Sequence, residues 1–140
     1  MGALDVAKET MPLDPQIVAR YWLINWDSTT SASEKELNSW VDDALYSAMQ
    51  NDADYALKIV EAIHEQDSTQ SQIEVFAAGP VEDLLVYHGE EVIQRIVALA
   101  SRDPKFARVL GGVWKRDMGA SVWELVLKYR STETWSDART

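Results

Sequence analysis

The side chains whose types and spacing could do chemistry in this sequence centre on two histidines and on acidic residues, which outnumber basic ones 23 to 13; cysteine is absent. His64 closes Glu61-Ala62-Ile63-His64. On a helix this spacing puts a carboxylate and an imidazole on neighbouring positions of one face, as carboxylate-bridged di-iron bundles require. Those bundles need two such motifs plus two further carboxylates. Only one is present, which predicts a surface ion pair rather than a metal centre. His88 follows the acidic pair Glu82-Asp83 by five residues. Together with Arg102 and Arg108 these define a candidate pocket for a small ligand or an acid–base reaction. Each member also has a structural role to hand, since acids belong in a first helical turn and a histidine near a helix C-terminus can bond its last carbonyls. No Gly-x-Ser-x-Gly elbow, phosphate-cradling Gly-x-x-x-x-Gly-Lys or Gly-x-Gly-x-x-Gly occurs. Neither a cofactor nor a metal ion is expected.

Charge and aromatic content point to surfaces. Residues 1–70 carry 4 Lys/Arg against 13 Asp/Glu, a balance of −9, and residues 71–140 carry 9 against 10, a balance of −1. An acidic half repels nucleic acid and attracts a basic partner at long range. The basic group Arg102, Lys105, Arg108, Lys115 and Arg116, interleaved with Phe106 and Trp114, has the composition of an anion patch. Within so acidic a chain it reads as a solvated face. Of the six tryptophans, Trp22, Trp40 and Trp114 fall on inward stripes. Trp26, Trp123 and Trp135 do not, and aromatic residues left at a surface are typical interface anchors. With Asp42 and Asp43 they form the predicted partner-binding set.

These residues need elements to position them. Asp14-Pro15 reads as an N-cap followed by a first-turn proline. Ile17, Tyr21 and Ile24 follow at helical spacing, up to the polar loop at Asp27. Ser33-x-x-Glu36 reads as a capping box opening a helix with Leu37, Trp40, Val41, Ala44, Leu45, Ala48 and Met49 inward. Asn51-Asp52 ends it and caps the next, to about Glu65. A further helix from Ser71 runs into Gly79-Pro80. There Gly79 is expected to close in the left-handed conformation, Pro80 to open a short helix with Glu82 at its third position, and Gly89 to stop it. Another helix spans Glu90–Ser101. Asp103-Pro104 repeats the cap-plus-proline start, and Gly111-Gly112 weakens the helix it opens. The run 122–129 suits either a strand or a helix; a helix is preferred, because a lone strand leaves its backbone groups unpaired.

Ala77-x-Gly79-Pro80-x-Glu82-Asp83-Leu84-Leu85, then His88-Gly89, Asp103-Pro104-x-Phe106 and Leu110-Gly111-x-Val113-Trp114, resembles a group of small, functionally uncharacterised bacterial domains. The similarity covers about Ile73 to Trp114. It implies a helical fold and a bacterial origin, and no activity carries over with it.

The expectation is an all-α protein: an irregular orthogonal bundle of about six to seven helices with some helical-hairpin, solenoid-like character. Residues 1–13 are expected to be a flexible lead-in, 14–130 a single domain, and 131–140 a flexible tail. No apolar run approaches the roughly 20 residues that span a bilayer, and the charged N-terminus lacks a signal peptide's apolar core, so a cytoplasmic location is expected. The leading functional reading is a protein-binding or regulatory module, immunity- or antitoxin-like in its concrete form, with a basic protein partner. The alternatives are a small enzyme or ligand binder with a site near Glu82, Asp83, His88 and the basic Arg102–Arg116 segment, and a homo-oligomeric structural protein, such as a homodimer.

Overall fold

A computed structural model describes residues 13–133 and 135. Among them the chain is all α, and none of the helices is long and apolar enough to cross a membrane. Its contacts divide it into two compact units, Met1–Ser68 and Thr69–Thr140. The lead-in other than Leu13, and the tail residues 134 and 136–140, lie outside the described residues.

In the first unit, α1 (Pro15–Asn25) starts where Asp14 caps it, the Asp14 carboxylate accepting the Gln16 N–H at 2.9 Å. Helix α2 (Ala32–Leu37) begins two residues earlier than expected. Ser31-x-x-Glu34 fits the capping pattern as well as Ser33-x-x-Glu36 does, and it is Ser31 Oγ that accepts the Glu34 N–H, at 3.2 Å. The expected single helix then breaks at Asn38, whose carbonyl accepts Asn25 Nδ2 at 3.0 Å. A fresh helix, α3 (Trp40–Asn51), follows. This break carries Leu37 off the inward stripe. Asp52 caps α4 (Ala53–Glu65) through the Tyr55 N–H. The core forms where α4 receives both α1 and α3, through Val18, Trp22, Val41, Ile59, Val60 and Ile63, all buried. Leu13 is buried as well, and its carbonyl accepts the Tyr55 hydroxyl at 2.7 Å, so the start of α1 is tied to α4.

The second unit opens with α5 (Gln70–Phe76), whose capping box pairs Thr69 with Gln72. The Gly79-Pro80 corner is not the expected stop and restart. No described glycine has a positive φ. Instead Ala77–Val81 widens into a π-helical turn, with the Glu82 N–H reaching back to Ala77 O. Proline explains this: in a regular helix its ring meets the carbonyl four residues back, and an expanded turn relieves the clash without ending the helix. The chain continues as α6 (Glu82–Arg102), a 21-residue element that Gly89 does not end. Its one departure from helical dihedrals is His88, at φ −134° and ψ 24°. There a Cβ on Gly89 would approach Val122 Cγ2 to 3.0 Å, so glycine at this kink permits close packing against α8.

Asp103 caps α7 (Pro104–Leu110), accepting the Lys105 N–H at 3.0 Å. Residues 122–129 form the second part of α8 (Ala120–Tyr129), which packs on α6. Gly111 and Gly112 end α7, and the space where their side chains would lie is taken by the Ser131 carbonyl and the Trp135 indole respectively. The described start of the tail is fastened to α7: the Ser131 N–H donates to Ala107 O at 2.8 Å and Trp135 Nε1 to Arg108 O at 2.7 Å.

Candidate functional site

The π turn sets Glu82 at the head of α6 with its side chain buried, only 5% of the residue remaining exposed. A carboxylate in that position must be fully hydrogen-bonded or neutralised. Its Oε1 accepts the Trp114 N–H at 2.7 Å, and its Oε2 lies 3.1 Å from Arg116 Nη1. The same nitrogen reaches Asp83 Oδ1 at 2.6 Å. Arg116 sits at φ 45°, a left-handed conformation that costs an L-residue roughly 1–2 kcal/mol. The two carboxylates offset that cost by clamping the loop after α7 onto the head of α6. The hydrogen bond it donates to Asp83, and then the one to Glu82, hold the guanidinium more firmly charged than an isolated arginine, against an opposing desolvation. Both oxygens of Glu82 are thereby engaged within the protein.

The predicted pocket set is therefore not one site. Arg102 lies twenty residues beyond Glu82 on α6, on the order of 30 Å at 1.5 Å per residue. Arg108, half-buried in the last turn of α7, offers its carbonyl to Trp135. The cation that does meet Glu82 and Asp83 is Arg116, at the far end of the basic Arg102–Arg116 segment that the enzyme or ligand-binder alternative set beside them. Nothing local announces it, because the partners are 33 and 34 residues apart. His88 lies about 9 Å along the helix axis from Glu82. It borders a separate cleft of about 320 Å³ lined by residues of α6 and α8, with its Nδ1 3.4 Å from Glu91 Oε1. His64 is half-buried in the last turn of α4.

The predicted partner-binding residues also separate. Trp26, Asp42 and Asp43 are exposed. Trp123 is 6% exposed, held in the α6–α8 packing, with the Arg130 guanidinium 5.8 Å from its ring centroid. Trp135 is half-buried against Gly112. Trp114, expected inward, is exposed because α7 ends four residues before it and its backbone, not its ring, is what Glu82 holds. Leu37, expected inward, is 74% exposed, and Tyr46, which the sequence reading did not single out, is 65% exposed; Ile17, Tyr87 and Leu127 are exposed as well. Tyr46 stands on α3 three and four residues after Asp43 and Asp42, hence on their face. Asp42 has its pKa raised, first by partial desolvation and then by the neighbouring Asp43 carboxylate.

What this geometry defines is an all-α protein in which, among the described residues, the most buried carboxylate ties a loop to a helix. The chain belongs to the family of unknown function DUF6869, whose model matches residues 28–134, from the loop after α1 to the segment beyond α8. No curated protein and no solved structure matches it.

Proposed function

We propose that this protein is a protein-binding module whose acidic first unit covers a basic region of another protein. One observation carries the reading. The step in charge along the chain falls at the boundary between the two compact units: 1–68 holds 4 Lys/Arg against 13 Asp/Glu and 69–140 holds 9 against 10. The charge asymmetry thus belongs to a structural body, and a body carrying −9 projects a field that steers a cationic partner. Anchors stand beside the charge. Tyr46 shares a face with Asp42 and Asp43, while Trp26 and Leu37 adjoin the Asn25–Asn38 hydrogen bond that joins the ends of α1 and α2. Desolvation and like charge at Asp42 favour a partner that supplies a cation there. An immunity- or antitoxin-like role, in which the acidic unit masks a basic bacterial protein, is the concrete form of this reading.

The test is capture of partners on immobilised full-length chain, followed by association kinetics with the purified partner. We expect a basic partner whose association rate falls at least tenfold between roughly 20 and 300 mM salt, as steering requires. We also expect an affinity weakened several-fold or more by Trp26→Ala and by Asp42→Asn/Asp43→Asn. A partner whose association is insensitive to salt, or indifferent to those substitutions, would contradict the proposal.

A further inference from the structure

The cleft at the His88 kink is built from residues of the second unit alone. It exists because α6 departs from helical geometry at His88 while Gly89 lets Val122 of α8 come close. Its volume, about 320 Å³, sits at the lower end of small-molecule sites. Leu85 and Val122, both buried, contribute apolar surface, and the half-exposed Tyr87 contributes a ring. Its charged lining is Glu90 and Glu91, and neither lysine nor arginine lines it. His88 is turned towards Glu91, Nδ1 to Oε1 3.4 Å.

From this lining we propose that the cleft binds a small organic cation, an alkylammonium or alkylguanidinium. The carboxylates would take its charged head, and the apolar wall and the Tyr87 ring its alkyl part. An anion would meet two carboxylates. A metal ion is the weaker candidate, because hard divalent ions need about six oxygen ligands and no three His, Asp or Glu side chains among the described residues are placed to hold one. A cleft this small and partly open supports affinities of about millimolar strength, given the few ligand atoms it engages.

The experiment is an NMR titration of the full chain with butylguanidinium and butylammonium chloride, with sodium butyrate as the anionic control. Saturable shifts centred on His88, Gly89, Gly119 and Val122 are expected from the cations and not from butyrate. Glu90→Gln/Glu91→Gln, at two exposed positions, is expected to weaken binding about tenfold. Gly119→Leu adds a side chain to the wall where nothing lies within 4 Å of the new Cβ, and is expected to abolish binding while spectra remote from the cleft stay unchanged. An N-acetyl-arginine amide arm tells a free cation from an arginine side chain: binding of the butyl compounds alone assigns the former, binding of all three the latter. No saturable shift, equal shifts with butyrate, or full binding by the charge-neutral double variant would overturn the proposal.

Discussion

Two acidic pairs open helices in this protein, Asp42-Asp43 at the start of α3 and Glu82-Asp83 at the start of α6. By sequence they read alike, as adjacent carboxylates in a first turn where a helix dipole would welcome them; in the structure only Asp42-Asp43 follows a break, and Glu82-Asp83 continues from the π turn. Their fates differ. Glu82 and Asp83 share Arg116, Glu82 also takes a backbone N–H, and the pair binds a loop to a helix. Asp42 and Asp43 stay exposed, with the Asp42 pKa raised by partial desolvation and then by its neighbour. One pair has been used to assemble the second unit; the other keeps unspent charge on a surface. An adjacent acidic pair therefore does not announce its role, and only the presence of a distant cation says whether it is structural.

The comparison can be broken at its stronger end. Glu82→Ala strips the Trp114 N–H of its acceptor and leaves Arg116 with Asp83 alone; we expect a loss of about 2–4 kcal/mol by chemical denaturation, in the range for breaking a buried, hydrogen-bonded charge. A loss under about 0.5 kcal/mol would show the clamp to be incidental. Glu82→Gln keeps shape and one acceptor and should fall between.

Arg116 separates strain from attraction. Arg116→Ala removes the cation but keeps a side chain in the left-handed conformation, whereas Arg116→Gly removes both. The glycine variant should be the more stable of the two by about 1 kcal/mol, offset in part by the entropy glycine adds to the unfolded chain. Equal stabilities would mean that the loop relaxes once the guanidinium is gone.

At the weaker end, Asp42→Asn should leave the fold intact and raise stability slightly at pH 7. The folded pKa of Asp42 lies above its unfolded value, so between the two the folded state holds more protons and stability falls as pH rises through that window. The variant's advantage should therefore be full above the window and vanish below the ordinary carboxylate range. An advantage that grew towards acid pH would reverse the assignment. Adding Asp43→Asn should change stability by less than about 0.5 kcal/mol, as for exposed charges generally, while slowing association with a basic partner.

Helix starts were the legible part of the fold. Asp14-Pro15, Asp52 and Asp103-Pro104 each cap a helix as their local chemistry requires, because a cap is completed within two or three residues. The same locality explains the misplaced start of α2, where Ser31 and Ser33 both satisfy the pattern and short-range reasoning has no means of choosing. Gly79-Pro80 is legible as a junction, but the form it takes, a π turn, is not. Proline forbids a regular turn there but does not say whether the chain stops or expands, and the partners that Glu82 finds beyond the turn, Trp114 and Arg116, are more than thirty residues away.

The sequence by itself determined an all-α chain, most of its caps, and a charge imbalance between its halves, all of which depend on residue type and near neighbours. Tertiary structure decided which tryptophans face out, which acidic pair is clamped, and that a kink at His88 opens a cleft. Those outcomes turn on contacts between segments far apart in the chain, and a helical period measures only the distance along one helix, not what the facing helix brings to meet it.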